Sequence, residues 1–408
     1  MKTKRQAGEK FILLVGDGMA DYPLAELDGK TPLEAAHTPN MDRIAACRIG
    51  LVNTIPAGME PGSDVANLSL LGYDPSLYHT GRGPFEAASI GIRLGDDDVA
   101  FRMNLVTLDR RSEQEIVMVS HSSGDISTKE AAAIIRDLKE EMTVPGIEIH
   151  PGLAYRHLLV WKRGPDKAET IPPHDVLDQN MASYLNLGGD DPVVDFIRHS
   201  WSLLERHPVN LKRRKMGLNE ANSVWLWGQG KAVKVPLFTD KFNLRGGVIS
   251  AVDLIKGIGV YAGLKLIDVE GATGYLDTNY SGKAEEALKA LHDLDFMFVH
   301  VEAPDEASHS GNIREKIQAI EAFDEKVVGT VCKGMEVFED YRIMIASDHF
   351  TPISMKTHAS DPPPFAWAKR EELLTGPRGA SFTEEFAKKS GLCFQRGHDL
   401  MPAFLGRS

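Results

Sequence analysis

Cysteine is scarce in this chain: Cys47, Cys332 and Cys393 are the only three in 408 residues. They are widely separated and form no CxxC pair, which excludes a thiolate metal site and predicts a reducing compartment. No apolar run is long enough to span a membrane. The basic start, MKTKRQAGEK, lacks the apolar core of a signal peptide, so the expected localisation is cytoplasmic. Positive charge is also in deficit. A formal net charge of −12 argues against nucleic acid or an anionic membrane as the main partner. It leaves a small anionic substrate open, because local Arg and Lys clusters can override the global field. No P-loop, kinase signature or Gly-x-Ser-x-Gly elbow occurs, which removes the usual nucleotide cradles and the serine-hydrolase triad. Internal repeats, coiled coils and low-complexity tracts are absent as well. The Gly257-Ile258-Gly259 triplet follows no strand end and is no dinucleotide fingerprint. What is present is an ordinary globular composition, 42% hydrophobic and 25% charged, in a chain long enough for two domains.

The richest stretch is 342–358, RIMIASDHFTPISMKTH. Its first five residues have the length and β-branching of a buried strand. The run ends in Ser347-Asp348-His349, and His358 follows a loop containing Pro352. A carboxylate beside an imidazole at the end of a buried strand offers the oxygen and nitrogen donors of a divalent metal site. The pattern recurs at 296–301, an apolar run followed by EAPDEASH; Asp305 and His309, four apart, would share a helix face if the chain coils there. A third apolar run, 11–15, ends in Gly16-Asp17-Gly18. A buried, unpaired carboxylate costs several kcal/mol, so three aspartates delivered from the same strand end predict cations between them. The alternative is three solvated loops. Asp21 reads as a loop or capping residue.

The segment PAGMEPGSD (56–64) is a tight turn, and a helix is expected to begin there. Ser63 then stands at a helix N-terminus, where backbone N–H groups favour an anion. It is either a helix cap or a nucleophile activated by metal. Arg82, between two glycines, can reach a phosphate or carboxylate bidentately or lie on the surface. Thr38 or Asn40 is expected to cap a helix beginning near Pro39. From about 96 to 245 the texture changes to strands at 99–108, 116–119, 147–149 and 156–161 and helices at 128–142 and 193–206. None of these strands ends in an Asp-His pair, so this reads as an inserted α+β domain. The expected division is 1–95 with 246–408 as a metal-binding catalytic domain and 96–245 as a substrate-binding insertion. His121, Arg156-His157 and the HPVN segment at 207–210 are its notable polar residues; they are candidates for holding a substrate's anionic end, with a structural or surface role as the alternative for each.

Assembled, these segments resemble the archaeal-type cofactor-independent phosphoglycerate mutases of the alkaline phosphatase superfamily. The resemblance covers nearly the whole chain and rests on GDGMADYPLAELDGKTPLEAAHTPNMD, PGSDVANLSLLGYDP, YHTGRGPFEAASIG, HPVN, GATGYLDTNYSGKA, VHVEAPDEASHSG and SDHFTP. It implies an α/β fold with a mostly parallel alkaline-phosphatase-like sheet sandwiched by helices and a smaller inserted α+β domain. It also implies two divalent ions, manganese or magnesium with zinc as a third candidate. One site is similar to Asp17, Ser63, Asp348 and His349, the other to Asp305, His309 and His358. Ser63 would take the phosphoryl group of 3-phosphoglycerate and return it as 2-phosphoglycerate, with Arg82, His121, Arg156 and Lys283 anchoring the small phosphorylated substrate. Glu302 and Pro304 depart from the mutase pattern, in which lysine and threonine are common. EAPDEASHSG looks instead like a branch proposed to phosphorylate homoserine, and a plain phosphomonoesterase is the remaining alternative. Nothing in the sequence indicates an oligomeric state.

Overall fold

The computed structural model describes residues 8–186, 191–375 and 379–407. In chain order its strands are β1 (Lys10–Gly16), β2 (Ile49–Val52), β3 (Asp98–Ser112), β4 (Glu115–Ser120), β5 (Ile147–His150), β6 (Arg156–Lys162), β7 (Ser223–Lys231), β8 (Gly246–Ile249), β9 (Lys265–Leu266), β10 (Phe296–Val301), β11 (Tyr341–Ser347), β12 (Pro364–Lys369) and β13 (Cys393–Phe394). They belong to two compact units, one formed by residues up to 79 together with 234–408, the other by 80–233.

The first unit is built on an eight-stranded sheet in the order β13-β2-β12-β11-β1-β10-β8-β9. β1 lies at its centre, parallel to β10 on one side and β11 on the other. The pairing continues in parallel through β8 and β9, and only β12 runs against its neighbours. β1, β10 and β11 are buried on both faces, as expected for strands covered by helices on both sides. The parallel register sets Gly16 beside Val301 and Ser347, so all three chains leave the sheet at one level with Asp17, Glu302 and Asp348 next in sequence. In parallel sheets the carboxyl ends of the strands are where ligands bind.

Helices contribute specific anchors to this unit. In Asp253–Tyr261 a side chain on Gly259 would collide with Val248 of β8, so glycine sets the close approach. Residues 313–334 form one helical rod with a buried stripe and a wide turn in it: Ile313–Ala322 and Gly329–Gly334 are α-helical, and Phe323–Val328 between them is a π-helix. Asp324 in that turn accepts from the backbone N–H groups of Asn40 and Met41, at 3.3 and 2.7 Å. Thr38 holds the N-cap position as expected, but neither its side chain nor that of Asn40 makes a capping bond, and the start of helix Pro39–Ala45 is capped from a distant helix. Lys316 sits on the buried stripe with no exposed surface. Its ammonium pairs with Asp21 at 2.9 Å and donates to the carbonyls of Ala20 and Thr351, tying the loop after β1 to the loop after β11.

The second unit is antiparallel throughout. The first half of the long strand β3 is flanked by β6 and β7, and its second half pairs with β4. β5 adds to β6. Helices Thr128–Glu141 and Pro192–Leu204 cover its apolar core, the first opened by a capping box between Ser127 and Glu130. The unit's boundaries fall outside those expected at 96 and inside that at 245. Helix Arg82–Ser89 packs so closely on β3 that a side chain on Gly83 would strike the Ala100 carbonyl. At the other end Phe238 stacks on Phe296 of β10 at 4.6 Å and belongs to the first unit. Of the two roles open to the HPVN segment, the bonds of His207 and Asn210 fit the structural one. His207 accepts from the Val209 N–H at the start of helix Pro208–Lys215, and buried Asn210 bridges Leu204 and Ala221. Among the described residues, no helix is long and apolar enough to cross a membrane.

Truncating one partner of a buried ion pair leaves the other uncompensated. Lys316→Ala is accordingly expected to destabilise the first unit by about 3–5 kcal/mol, read as a fall in the urea midpoint. An unchanged midpoint would show that Asp21 finds another partner.

Candidate active site

The loop after β1 turns at Gly18, whose φ of +59° favours glycine. A side chain there would also collide with Asp305 Oδ1 and Thr351 Oγ1. The bare backbone lets Asp17 and Asp305 close on each other, and the Gly18 N–H donates to Asp348 Oδ1 at 3.0 Å. Asp305 and His309 lie on helix Ala303–Ser310, which starts directly after β10 and places them on one face. His349 follows Asp348 at the end of β11, and His358 comes from the next loop.

All seven expected ligand positions converge. Asp305 reaches His309 Nε2 at 3.2 Å and His358 Nε2 at 3.5 Å. His349 Nε2 lies 3.2 Å from Asp17 Oδ1, 3.5 Å from Asp348 Oδ2 and 3.1 Å from Ser63 Oγ. Gly62, not Ser63, caps helix Ser63–Leu70, so the serine hydroxyl spans no turn of its own helix and faces His349. The capping alternative for Ser63 is thereby removed. Supporting bonds orient the donors, as is usual around metal ligands. His309 Nδ1 meets the Lys356 carbonyl at 2.9 Å, His358 Nδ1 the Pro61 carbonyl at 3.3 Å and His349 Nδ1 the Thr351 hydroxyl at 3.0 Å. Asn67, one turn after Ser63, donates to both the Ser63 carbonyl and Asp348 Oδ2 at 2.8 Å.

The electrostatics are those of a site built for cations. Asp17, 1% exposed, has its pKa pushed well above the ordinary carboxylate value, first by burial and then by the charges of Asp348, Asp305 and Glu302. Burial acts against ionisation of Asp305 as well, but hydrogen bonds from His309 and His358 outweigh it and hold that pKa well below the usual range. Burial likewise opposes charge on His309, and the Asp305 contact overrides it to bring the group to about 9. Burial lowers His349 and takes His300 down to about 4, which keeps both rings neutral and able to ligate. Asp17 Oδ1 and His300 Nε2 are buried without a hydrogen-bond partner. Orphaned lone pairs among crowded carboxylates fit a divalent cation. Three groups bring one donor atom each within 4.8 Å of one another: Asp305/His309/His358, Asp17/Asp305/His349 and Asp17/His300/Asp348. The chain can therefore hold divalent metal here.

Not every expected contact is of that kind. Lys283 lies inside helix Tyr280–Leu291, fully buried, and its ammonium donates to the His300 carbonyl at 3.1 Å. Burial lowers its pKa to about 8, against the attraction of Glu302. It supports the end of β10 rather than presenting a cation for substrate. In the second unit, Arg82 lies 5.9 Å from the Trp227 ring and Arg102 4.1 Å. Arg102 also pairs with Glu86 at 2.9 Å, and burial foremost, then Glu86 in opposition and the charges of Arg82 and Arg156, leaves its pKa lowered. Exposed Arg156 leans on Tyr155, against whose ring His121 packs edge-on; His174 bridges His121 and Trp227. Arg102, His174 and Trp227 were not singled out by sequence. An arginine at an otherwise apolar stretch of strand was the available signal. Buried His157 accepts from Gly152 and is structural, its pKa lowered by burial to about 4.

A statistical description of the 2,3-bisphosphoglycerate-independent phosphoglycerate mutases matches residues 45–210. The chain is 49% identical over 396 residues to the protein of that name from Methanosarcina barkeri, covering 96% of this chain and 98% of the other. It is 50% identical over 398 residues to a second such protein from Methanothermobacter thermautotrophicus, covering 96% of each. The chain belongs to the 2,3-bisphosphoglycerate-independent phosphoglycerate mutase family. Among solved structures it resembles a Pyrococcus horikoshii protein with TM-score 0.81 at 31% identity, over 99% of both chains. The cofactor-independent phosphoglycerate mutase of Thermoplasma acidophilum gives 0.60 at 25% identity, over 98% of this chain and 99% of that one.

If the carboxylate cluster of this family member is a cation site, divalent ions should stabilise the fold by mass action. Manganese at about 100 times its dissociation constant is expected to add about 2.7 kcal/mol, read as a rise in melting temperature that a chelator reverses. A melting temperature insensitive to manganese and chelator would contradict it.

Proposed function

We propose that this chain interconverts 3-phosphoglycerate and 2-phosphoglycerate through a phosphoserine at Ser63. The observation that carries the reading is the Ser63 hydroxyl 3.1 Å from His349 Nε2, amid three buried aspartates, in a chain about half identical over its length to proteins named as such mutases. Asp305, His309 and His358 would hold one divalent ion, and Asp17, Ser63, Asp348 and His349 a second, manganese or magnesium. When bound, such ions lower the pKa of a coordinated hydroxyl and neutralise charge on a transferring phosphoryl group.

The residues supply the rest. Helix Ser63–Leu70 fixes the serine oxygen at its first turn, and Asn67 ties that turn to Asp348. Ser63 Oγ forms its bond to phosphorus as the bond to the 3-hydroxyl oxygen of glycerate breaks, and the serine proton goes to that departing oxygen. The phosphoryl group then returns from Ser63 to the 2-hydroxyl oxygen, whose proton restores the serine. Atoms and charge balance without a co-reactant. Arg82, Arg102 and Arg156 with His121 form a cationic, aromatic-walled cluster suited to a carboxylate and phosphate. On this reading the insertion, 80–233, is the substrate-anchoring domain, and the reaction belongs to the cytoplasm.

Ser63→Ala is expected to retain most of its metal binding and lose turnover by several orders of magnitude. Intact mass spectrometry of quenched protein should show a phosphoryl adduct absent from the variant. Near-normal turnover by Ser63→Ala would remove the serine from the mechanism. An enolase-coupled assay tests the substrate: 2-phosphoglycerate formed from 3-phosphoglycerate by manganese-loaded protein is the expected result. Phosphohomoserine made from homoserine and ATP, with no 2-phosphoglycerate, would overturn it.

A further inference from the structure

One donor in the cluster belongs to neither expected ligand set. His300 is the fifth residue of β10, wholly buried, in a strand whose other members are apolar. Its Nδ1 is 3.3 Å from Ser250 Oγ, which also accepts the Val252 N–H. With its proton on Nδ1 directed at Ser250, the ring presents the bare lone pair of Nε2. That nitrogen is 3.0 Å from Asp17 Oδ2, yet the two are not aligned as a hydrogen bond and Nε2 has no partner. Two imidazoles thus approach different oxygens of one carboxylate, His349 at Oδ1 and His300 at Oδ2.

Lone-pair counting decides how many cations this end of the cluster can take. Asp348 Oδ1 is filled by the N–H groups of Gly18 and His349. Its Oδ2 accepts from Asn67 and has one lone pair left. Only a single ion can therefore be bound through Asp348, and the donor atoms of Asp17, His300 and Asp348 lie within 4.8 Å of one another.

We infer that His300 is an additional ligand of the ion held by Asp17, Ser63, Asp348 and His349, and that Ser250 fixes its ring for that purpose. The inference rests on the two-ion reading above. It gives each ion two imidazole nitrogens, His300 and His349 for one, His309 and His358 for the other. Such donor sets favour manganese or zinc over magnesium, which prefers oxygen ligands and retained water.

The test is metal binding to the full chain, by equilibrium dialysis with elemental analysis and by isothermal titration with manganese and with magnesium. The parent should bind two manganese ions. His300→Gln is expected to weaken one of them by about 100-fold and leave the other unchanged, narrowing the preference for manganese over magnesium at the weakened site. Ser250→Ala should weaken the same ion by about tenfold. Two ions bound to His300→Gln with parental affinity, or equal weakening of both, would overturn the role of His300 while leaving the two-ion reading standing. Should His300→Gln fail to fold, Ser250→Ala decides: parental affinity at both sites overturns the inference, and weakening of one supports it. A parent chain that binds no divalent ion overturns both.

Discussion

Three carboxylates cannot share a dry space unless something positive joins them. Asp17, Asp305 and Asp348, each 5% exposed or less, are brought together at the carboxyl ends of β1, β10 and β11, and much of the first unit follows from that crowding. The parallel register aligns the strand ends. Gly18 permits the approach, Thr351 links Asp305 to His349, and Lys316 holds the loops behind them. Without a cation the cluster is a liability, with Asp17 driven towards its protonated form. With one it is a preorganised electrostatic site of the kind that lowers barriers to phosphoryl transfer. Stability and function here compete over the same atoms.

How much of this could be read from the chain depended on the range of the interaction concerned. β1, β10 and β11 were legible because each is an uninterrupted apolar run, and their ligands because Asp and His directly follow. The helix at Ser63 was announced by a Gly/Pro turn. β7, SVWLWGQGK, and β12, behind a proline run, were not recognised, since glycine and proline blur a strand signal that tertiary pairing restores. His300 is a histidine in an apolar strand, which by pattern alone is indistinguishable from a satisfied core residue. The orphaned Nε2 beside Asp17 and Asp348 separates the two, a placement that only the tertiary structure gives. The cluster around Trp227 depends on the pairing of β3 with β7, more than a hundred residues apart, and no local rule encodes that register. HPVN and Lys283 went the other way. Polar residues that suggested substrate contacts turned out to serve a helix cap and a strand end.

The central strand of the main sheet is also the first to be synthesised. β1 pairs only with β10 and β11, which lie beyond the entire second unit in sequence. At about 5–20 residues per second, tens of seconds separate the emergence of β1 from that of its partners. Throughout that interval the segment FILLV has neither of its partner strands, while the second unit, contiguous in sequence, completes its own set of strands before β10 appears. The nascent chain therefore carries its eventual keystone as an unpaired, adhesive strand. Protecting that strand during translation falls to whatever meets it at the ribosome, a demand imposed by chain topology and independent of the chemistry the finished site performs.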